Sequence, residues 1–183
     1  MPAVRLMTPE EAPAVVALLV DAFDREHFSR WAHPDVHARR AAIGARFTHT
    51  LETLPTDAIT EVTPDLDASA LWLSPGSDVS AQASPGAPDR VFKALESVNA
   101  AAPNQPFWYL SYLGARTPGA GRGSALLRHR LPIIDAEGLP SALWTASEGN
   151  VAFYARHGFT VLQKMEFGGA SGWWLWRDVP RGS

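Results

Sequence analysis

Between two apolar runs the chain reads Thr117-Pro118-Gly119-Ala120-Gly121-Arg122-Gly123-Ser124, three glycines in five positions. Upstream, Phe107-Trp108-Tyr109-Leu110-Ser111-Tyr112-Leu113-Gly114 is aromatic and apolar and reads as a strand buried on both faces. Downstream, Leu127, Leu131 and Ile134 recur at helical spacing, Pro132 is a kink point, and Gly138 then Pro140 close the helix. A strand that runs through a glycine-rich turn into a helix leaves backbone N–H groups unpaired, with no Cβ to obstruct a ligand. Those amides and the positive end of the helix dipole attract phosphate. The turn is a candidate anion cradle.

Known phosphate turns narrow the choice. A P-loop needs Lys followed by Ser or Thr after its last glycine, whereas Gly123 is followed by Ser124-Ala125. The dinucleotide pattern Gly-x-Gly-x-x-Gly is approached by Gly119 to Ser124, but Ser124 stands where the third glycine belongs. That fold also needs further βαβ units, and too little chain remains to supply them. A turn that binds nothing is the remaining alternative.

The residues downstream of the turn weigh against that alternative. Ser141 to Thr145 reads as the next strand, and after it come Ser147-Glu148-Gly149-Asn150-Val151-Ala152-Phe153-Tyr154-Ala155-Arg156-His157-Gly158-Phe159. From Trp108 through Val161 the chain resembles the cofactor-binding half of the GNAT superfamily of N-acetyltransferases, and within it the puromycin N-acetyltransferase group. The resemblance rests on the Gly-x-Gly-Ser-Ala-Leu-Leu helix start and on the Asn150…Phe153-Tyr154…Gly158-Phe159 spacing. It implies an α/β (α+β) fold with a mixed, mostly antiparallel sheet flanked by helices and a splayed strand pair at the cofactor site. One departure concerns the Gln or Arg that the family carries three residues before its glycine pair. Pro118 stands there if the pair is Gly121-Arg122-Gly123, and Arg116 if it is Gly119-Ala120-Gly121. Both registers stay open.

A chain of 183 residues, 46% hydrophobic and 19% charged, is long enough for one domain with a proper core. Residues 1–178 are read as that domain, 1–106 mainly its acceptor side and 107–178 its cofactor side. Residues 179–183 resemble a protease-site scar and are set aside. No apolar run reaches membrane-spanning length, and Met1 to Leu6 lacks a signal-peptide pattern. Without cysteine there is neither a disulfide framework nor a thiol nucleophile, so cytoplasmic residence is the default. A net charge of -3 argues against nucleic acid, leaving a small molecule as partner and a monomer or homodimer as assembly.

In the first half, Thr8, Pro9 and Glu11 form a helix-start signal, followed by the apolar stripe Val15, Leu18, Leu19 and Phe23. Phe28 to Pro34 reads as an aromatic and polar loop. Phe28, Trp31 and the central-strand Tyr109 are candidate acceptor walls, with Asp21, Asp24 or Glu26 to hold an ammonium ion. The plainer alternative is a connection whose Trp31 plugs the core. His33 and His37 lie four apart but flank Pro34 and lack a third ligand, so no metal is expected. Arg39 to Leu54 reads as a helix with Ala42, Phe47 and Leu51 inward and Arg39-Arg40 solvated. Ala58–Val62 and Ser69–Leu73 form an antiparallel pair. Ser74 to Pro88 is a surface loop or a lid over the acceptor, and Asp89 to Ala101 is a helix on Val91, Leu95 and Val98. At the far end, Phe159–Leu162 and Trp173–Trp176 make a closing hairpin.

The resemblance implies acetyl transfer from acetyl-CoA to a small primary amine, an antibiotic or other toxic amine among the possibilities, by direct attack. Acetylation of a protein N-terminus or lysine, or non-catalytic acyl-CoA sensing, are the alternatives. In that scheme the edge at Leu113, Gly114 and Ala115 aligns the pantetheine arm. Gly119, Ala120, Gly121, Arg122, Gly123 and Ser124 hold the pyrophosphate. Asn150 bonds the cofactor arm or, more plainly, caps its helix. Tyr154 is the general acid, with a packed aromatic as its alternative. The general base is open among Glu61, Glu148, Asp24, His27 and a water chain, because Trp144 takes the strand position where relatives carry Glu.

Overall fold

The computed structural model describes residues 3–84 and 86–180; Arg181 to Ser183 of the scar-like tail lie outside them. The elements run β1 (Arg5–Leu6), a 3₁₀ turn (Pro9–Glu11), α1 (Ala12–Phe23), α2 (His27–Ala32), α3 (Val36–Glu52), β2 (Ile59–Val62) and β3 (Ala68–Leu73). They continue with α4 (Asp89–Ala100), β4 (Trp108–Ala115), α5 (Arg122–Ala136), β5 (Ser141–Thr145), α6 (Glu148–Ala155), β6 (Thr160–Glu166) and β7 (Ser171–Arg177). The start signal at Thr8 works as expected: the Glu11 carboxylate accepts the Thr8 backbone N–H at 2.9 Å.

These strands form one seven-stranded sheet in the order β1-β2-β3-β4-β5-β7-β6. Every pairing is antiparallel except β4 with β5. That parallel pair is joined by α5, the crossover such a connection requires. Its register covers only Trp108↔Ser141 and Tyr109↔Ala142, after which the two strands part. Opposite the parting, the β3–β4 register jumps from Leu71↔Tyr112 to Trp72↔Leu110, leaving Ser111 as a bulge. A bulge bends its strand and steepens the twist, which turns the end of β4 away from β5.

One face of the sheet is covered by α1 and α3, which pack Val15, Leu19, Ile43 and Phe47 on Leu71 and Tyr112. Farther along the same face, Val98 of α4 meets Tyr109, Ala142 and Trp174, and the Trp174 indole donates to the Val98 carbonyl at 2.8 Å. On the other face, α5 buries Leu126, Leu127, Leu131 and Ile134 against Trp72, Trp108, Leu110 and Leu143, and Tyr154 of α6 joins them. α1 approaches β4 so closely that a Cβ on Gly114 would stand 2.5 Å from Leu19 Cδ2. Glycine is therefore a packing requirement there, since overfilling a well-packed core costs about 1–3 kcal/mol.

Several expectations are corrected. Residues 27–32 are a short helix, not a loop, because Phe28 and Ala32, four apart, both pack toward α4. Arg39 is buried, not solvated: its Nε donates to Asp24 Oδ1 at 2.7 Å, while Arg40 Nη2 reaches Asp21 Oδ1 at 2.7 Å. Ile43, not Ala42, is the residue buried beside Phe47 in α3. The Ser74–Pro88 connection has no helix or strand among its described residues, as expected, and the Ala81 N–H and C=O within it are both held by the Asn99 side chain, at 2.8 and 3.0 Å. β6 extends to Glu166, well past the expected Leu162, as the sheet's outer strand.

Candidate functional site at the strand splay

Where β4 and β5 separate, the backbone of Leu110 to Ala115 has no partner on the β5 side, which leaves an open strand edge inside the sheet. The glycine turn closes one end of this opening. Gly121 caps α5 with φ 76°, in the left-handed region, and Gly119 has φ 79°. α5 begins at Arg122, so Arg122, Gly123 and Ser124 occupy its first turn, where backbone N–H groups have no intrahelical acceptor. A Cβ at Gly119 or Gly121 would meet nothing within 4 Å, so the turn is open on its outer side. At Gly123 it would lie 3.4 Å from both Leu113 and Phe153, which fixes the helix start against β4 and α6.

Side chains around the turn are already paired. Arg122 Nη2 lies 2.6 Å from Asp65 Oδ2, and Arg116 Nε lies 3.2 Å from Asp67 Oδ1. These pairs are exposed, hence weak and exchangeable. Ser124 Oγ is 2.9 Å from His157 Nε2, tying α5 to the turn that follows α6. Burial and the nearby Arg128, Arg156 and Arg177 hold His157 below the usual imidazole range.

Tyr154 of α6 is 7% exposed, with Phe153 and Phe159 at ring-centroid distances of 5.0 and 5.7 Å, in the apolar cluster against which Leu113 and Ala115 of the free end of β4 pack. Burial drives its pKa well above the ordinary phenol value, and the negative charge of Glu26 and the neighbouring Tyr109 add to the rise. No hydrogen bond to its hydroxyl is found among the described residues. Asn150 is the third residue of α6, not its cap, which is Ser147. The Asn150 amide donates to Thr145 Oγ1 at 3.2 Å and to Glu26 Oε1 at 3.4 Å.

Glu26 comes from the α1–α2 junction, on the opposite face of the sheet. It lies deep among protein atoms but keeps solvent contact, as a group lining a recess does. Burial raises its pKa above the ordinary carboxylate value, while Arg46 and the Asn150 amide pull it back. Arg46 of α3 is similarly placed, its guanidinium 4.3 Å from the Phe47 centroid and 5.3 Å from that of Phe23. Tyr109, 5% exposed, lies against Trp174. Burial raises the Tyr109 pKa, opposed by Arg46 and by the indole N–H of Trp144. The Asn150 side chain thus links the two faces: from the helix that carries Tyr154 it reaches Glu26, which lies with Arg46 and Tyr109 on the α1–α3 face.

Beyond Trp144 stands an aromatic group, in which Phe28 has Trp31, Trp144 and Phe167 at centroid distances of 5.4, 5.7 and 6.3 Å. Asp24 is engaged elsewhere: burial acts to raise its pKa, but Arg39 and Arg40 hold it below the usual range. His27 Nε2 contacts the Gly169 carbonyl at 2.8 Å, Glu148 is exposed, and Glu61 is buried on β2 against Arg130 at 2.5 Å. Of the open base candidates, none of these three reaches Tyr154 or Asn150 by a hydrogen bond among the described residues. Glu26, which does reach Asn150, is legible in the sequence only as an ammonium holder, and Arg46 is not marked there at all. Neither has a local pattern that could single it out, since Glu26 and Asn150 are 124 positions apart.

A separate cavity of about 660 Å³ lies between β1, α1 and α3, lined by residues such as Leu6, Pro13, Val16 and Leu51. Its walls are mainly apolar, with Thr48, Glu52 and Thr60 among them, and none of the splay residues lines it. Among the described residues no cluster of three or more His, Cys, Asp or Glu could hold a metal, and no helix is long and apolar enough to cross a membrane.

No protein-family model matches the chain. Solved structures do match it, over nearly its whole length. An acetyltransferase from Corynebacterium glutamicum, described as histone acetyltransferase HPA2 and related, aligns at TM-score 0.74 and 22% identity, covering 100% of this chain and 98% of that one. A putative arylalkylamine N-acetyltransferase from the yellow fever mosquito aligns at 0.66 and 15%, covering 97% and 87%. The PaiA N-acetyltransferase of Thermoplasma acidophilum, solved with coenzyme A, aligns at 0.57 and 11%, covering 96% and 98%. At these identities the likeness is one of fold: a mixed sheet, mostly antiparallel and flanked by helices, matching that of GNAT acetyltransferases.

Proposed function

We propose that the chain is an acyl-CoA-dependent N-acyltransferase, with acetyl-CoA as donor and a small primary amine as acceptor. What supports this reading is the open glycine-capped helix start beside the free end of β4, together with Asn150, which reaches Glu26 across the sheet from the helix that carries Tyr154. The free amides of Arg122, Gly123 and Ser124 suit a pyrophosphate, and Leu113, Gly114 and Ala115 present main-chain groups to an extended pantetheine arm. Gly119, Ala120 and Gly121 keep the approach clear of side chains. When bound, the thioester supplies the activated acyl group. The chain supplies proton handling and alignment.

An amine enters the recess as an ammonium ion, attracted by the Glu26 carboxylate. Its raised pKa makes Glu26 a better proton acceptor than an exposed glutamate. Having lost that proton, the neutral nitrogen forms the new C–N bond as the C–S bond breaks. Tyr154 Oη donates its proton to the departing sulfur and recovers one from the acylated nitrogen. Asn150 holds Glu26 toward Tyr154, and Thr145 fixes the Asn150 amide. Phe28, Trp31, Trp144 and Tyr109 provide apolar walls for the rest of the acceptor. An aromatic lining of this kind suits a small molecule better than a protein N-terminus or a lysine side chain, as in the puromycin-type group that the motif resembles.

The test is release of free thiol from acetyl-CoA across a panel of amines including arylalkylamines, aminonucleosides and polyamines, with product mass confirming N-acetylation. Acceptor-dependent release with at least one amine is expected. Tight acetyl-CoA binding with no acceptor-dependent release would favour an acyl-CoA sensor.

A further inference from the structure

Proton transfer through Glu26 and Tyr154 leaves Arg46 without a chemical task. Among the described residues, Arg5, Arg39, Arg40, Arg116, Arg122, Arg130 and Arg177 each have a carboxylate within 4.0 Å. Arg25, Arg30 and Arg90 donate to backbone carbonyls, and Arg128 and Arg156 are exposed. Arg46 alone lies deep in the protein with neither kind of partner for its guanidinium, held instead over the Phe47 and Phe23 rings. Burying a cation without a counter-ion is costly, and ring faces compensate only in part. Glu26 is near enough to feel its field but does not pair with it within 4.0 Å. Both groups keep partial solvent contact.

Resting on the acyltransferase reading, we propose that Arg46 binds a carboxylate carried by the acceptor, so that the substrate class is amino acids and related amino-carboxylates with an apolar or aromatic side chain. The recess is then complementary to a zwitterion. Glu26 meets the ammonium group, Arg46 offers the planar fork that a carboxylate fits, and the group around Phe28 and Trp144 faces the side chain. A phosphate of the donor is not the intended anion, because its site at the α5 start lies on the opposite face of the sheet.

The experiment compares matched acceptors, phenylalanine with phenylalaninol and tryptophan with tryptophanol, by thiol release in the wild type and in Arg46→Gln. Dividing the wild-type kcat/KM ratio by the variant ratio cancels differences in amine basicity, as a double-mutant cycle does. A charge-assisted bidentate contact predicts a double ratio of about 10 to about 100 in favour of the carboxylates. Arg46→Lys should keep part of it. A double ratio near 1, or a wild type that prefers the alcohols, overturns the proposal. A second readout does not depend on turnover: quenching of tryptophan fluorescence by 3-phenylpropanoate against 3-phenylpropanol. Tighter binding of the carboxylate by about tenfold in the wild type, lost in Arg46→Gln, supports the Arg46 site even if no amine is acetylated. That outcome would sink the acyltransferase reading alone. Equal binding of the two in the wild type overturns the Arg46 site, whether or not Arg46→Gln folds.

Discussion

Replacing Tyr154 by phenylalanine separates chemistry from packing. The ring lies against Phe153 and Phe159, and phenylalanine keeps those contacts. Since no hydrogen bond to the hydroxyl is found among the described residues, its removal orphans no partner, and stability should change by less than about 0.5 kcal/mol. Turnover should respond quite differently. A positioned general acid contributes about 10²- to 10⁴-fold. The phenol starts above its ordinary value near ~10 while a thiol sits near ~8.5, so the proton transfer is uphill and the lower figure applies. About 10²-fold corresponds to about 2.7 kcal/mol of barrier. Part of the uphill gap closes during the reaction, because Glu26 is one cause of the raised Tyr154 pKa and becomes neutral once it holds the amine's proton. Thiol release gives kcat, calorimetric titration gives acetyl-CoA affinity, and thermal melting gives stability. The expected result is a kcat loss near 10²-fold with affinity and melting temperature unchanged. Unchanged turnover, or a parallel loss of turnover and affinity, would refute the acid role.

Two further substitutions test the rest of the assignment. Glu26→Gln should abolish the acidic limb of the kcat/KM–pH profile. In the wild type that limb lies above the ordinary glutamate value of 4.5, activity falling as pH drops through the raised pKa; an unchanged limb would assign the base elsewhere. The same change should shift any alkaline limb due to Tyr154 to lower pH, since a negative neighbour is removed. Glu61→Gln should act on stability alone, because it strips the counter-charge from Arg130 inside the α5–β2 contact. A loss of about 3 kcal/mol is expected, seen as a fall of roughly 6–12 °C in melting temperature. Activity per folded molecule should be kept, and lost activity at an unchanged melting temperature would make Glu61 catalytic.

What the sequence determined by itself was local. Thr8 with Glu11, the glycines at 119, 121 and 138, and the apolar stripes of α1, α4 and α5 act over a few residues, and backbone sterics and periodicity carry that information. Hence the strand, turn and helix at the centre, the β2–β3 pair and the closing hairpin were legible, and the family resemblance carried by the motifs implied the fold class. Only the tertiary structure decided the insertion of β7 between β5 and β6, the bulge at Ser111 beside the splay, and the helix at residues 27–32. It also decided which charged groups meet. Asp24 and Glu26 were equal ammonium-holder candidates in sequence, but Asp24 is held by Arg39 and Arg40 whereas Glu26 meets Asn150, and Arg46, unmarked in its own segment, lies over the Phe47 and Phe23 rings. Such meetings depend on how two sheet faces fold over one gap. Side-chain type and spacing along the chain carry no record of which distant groups will share a low-dielectric recess.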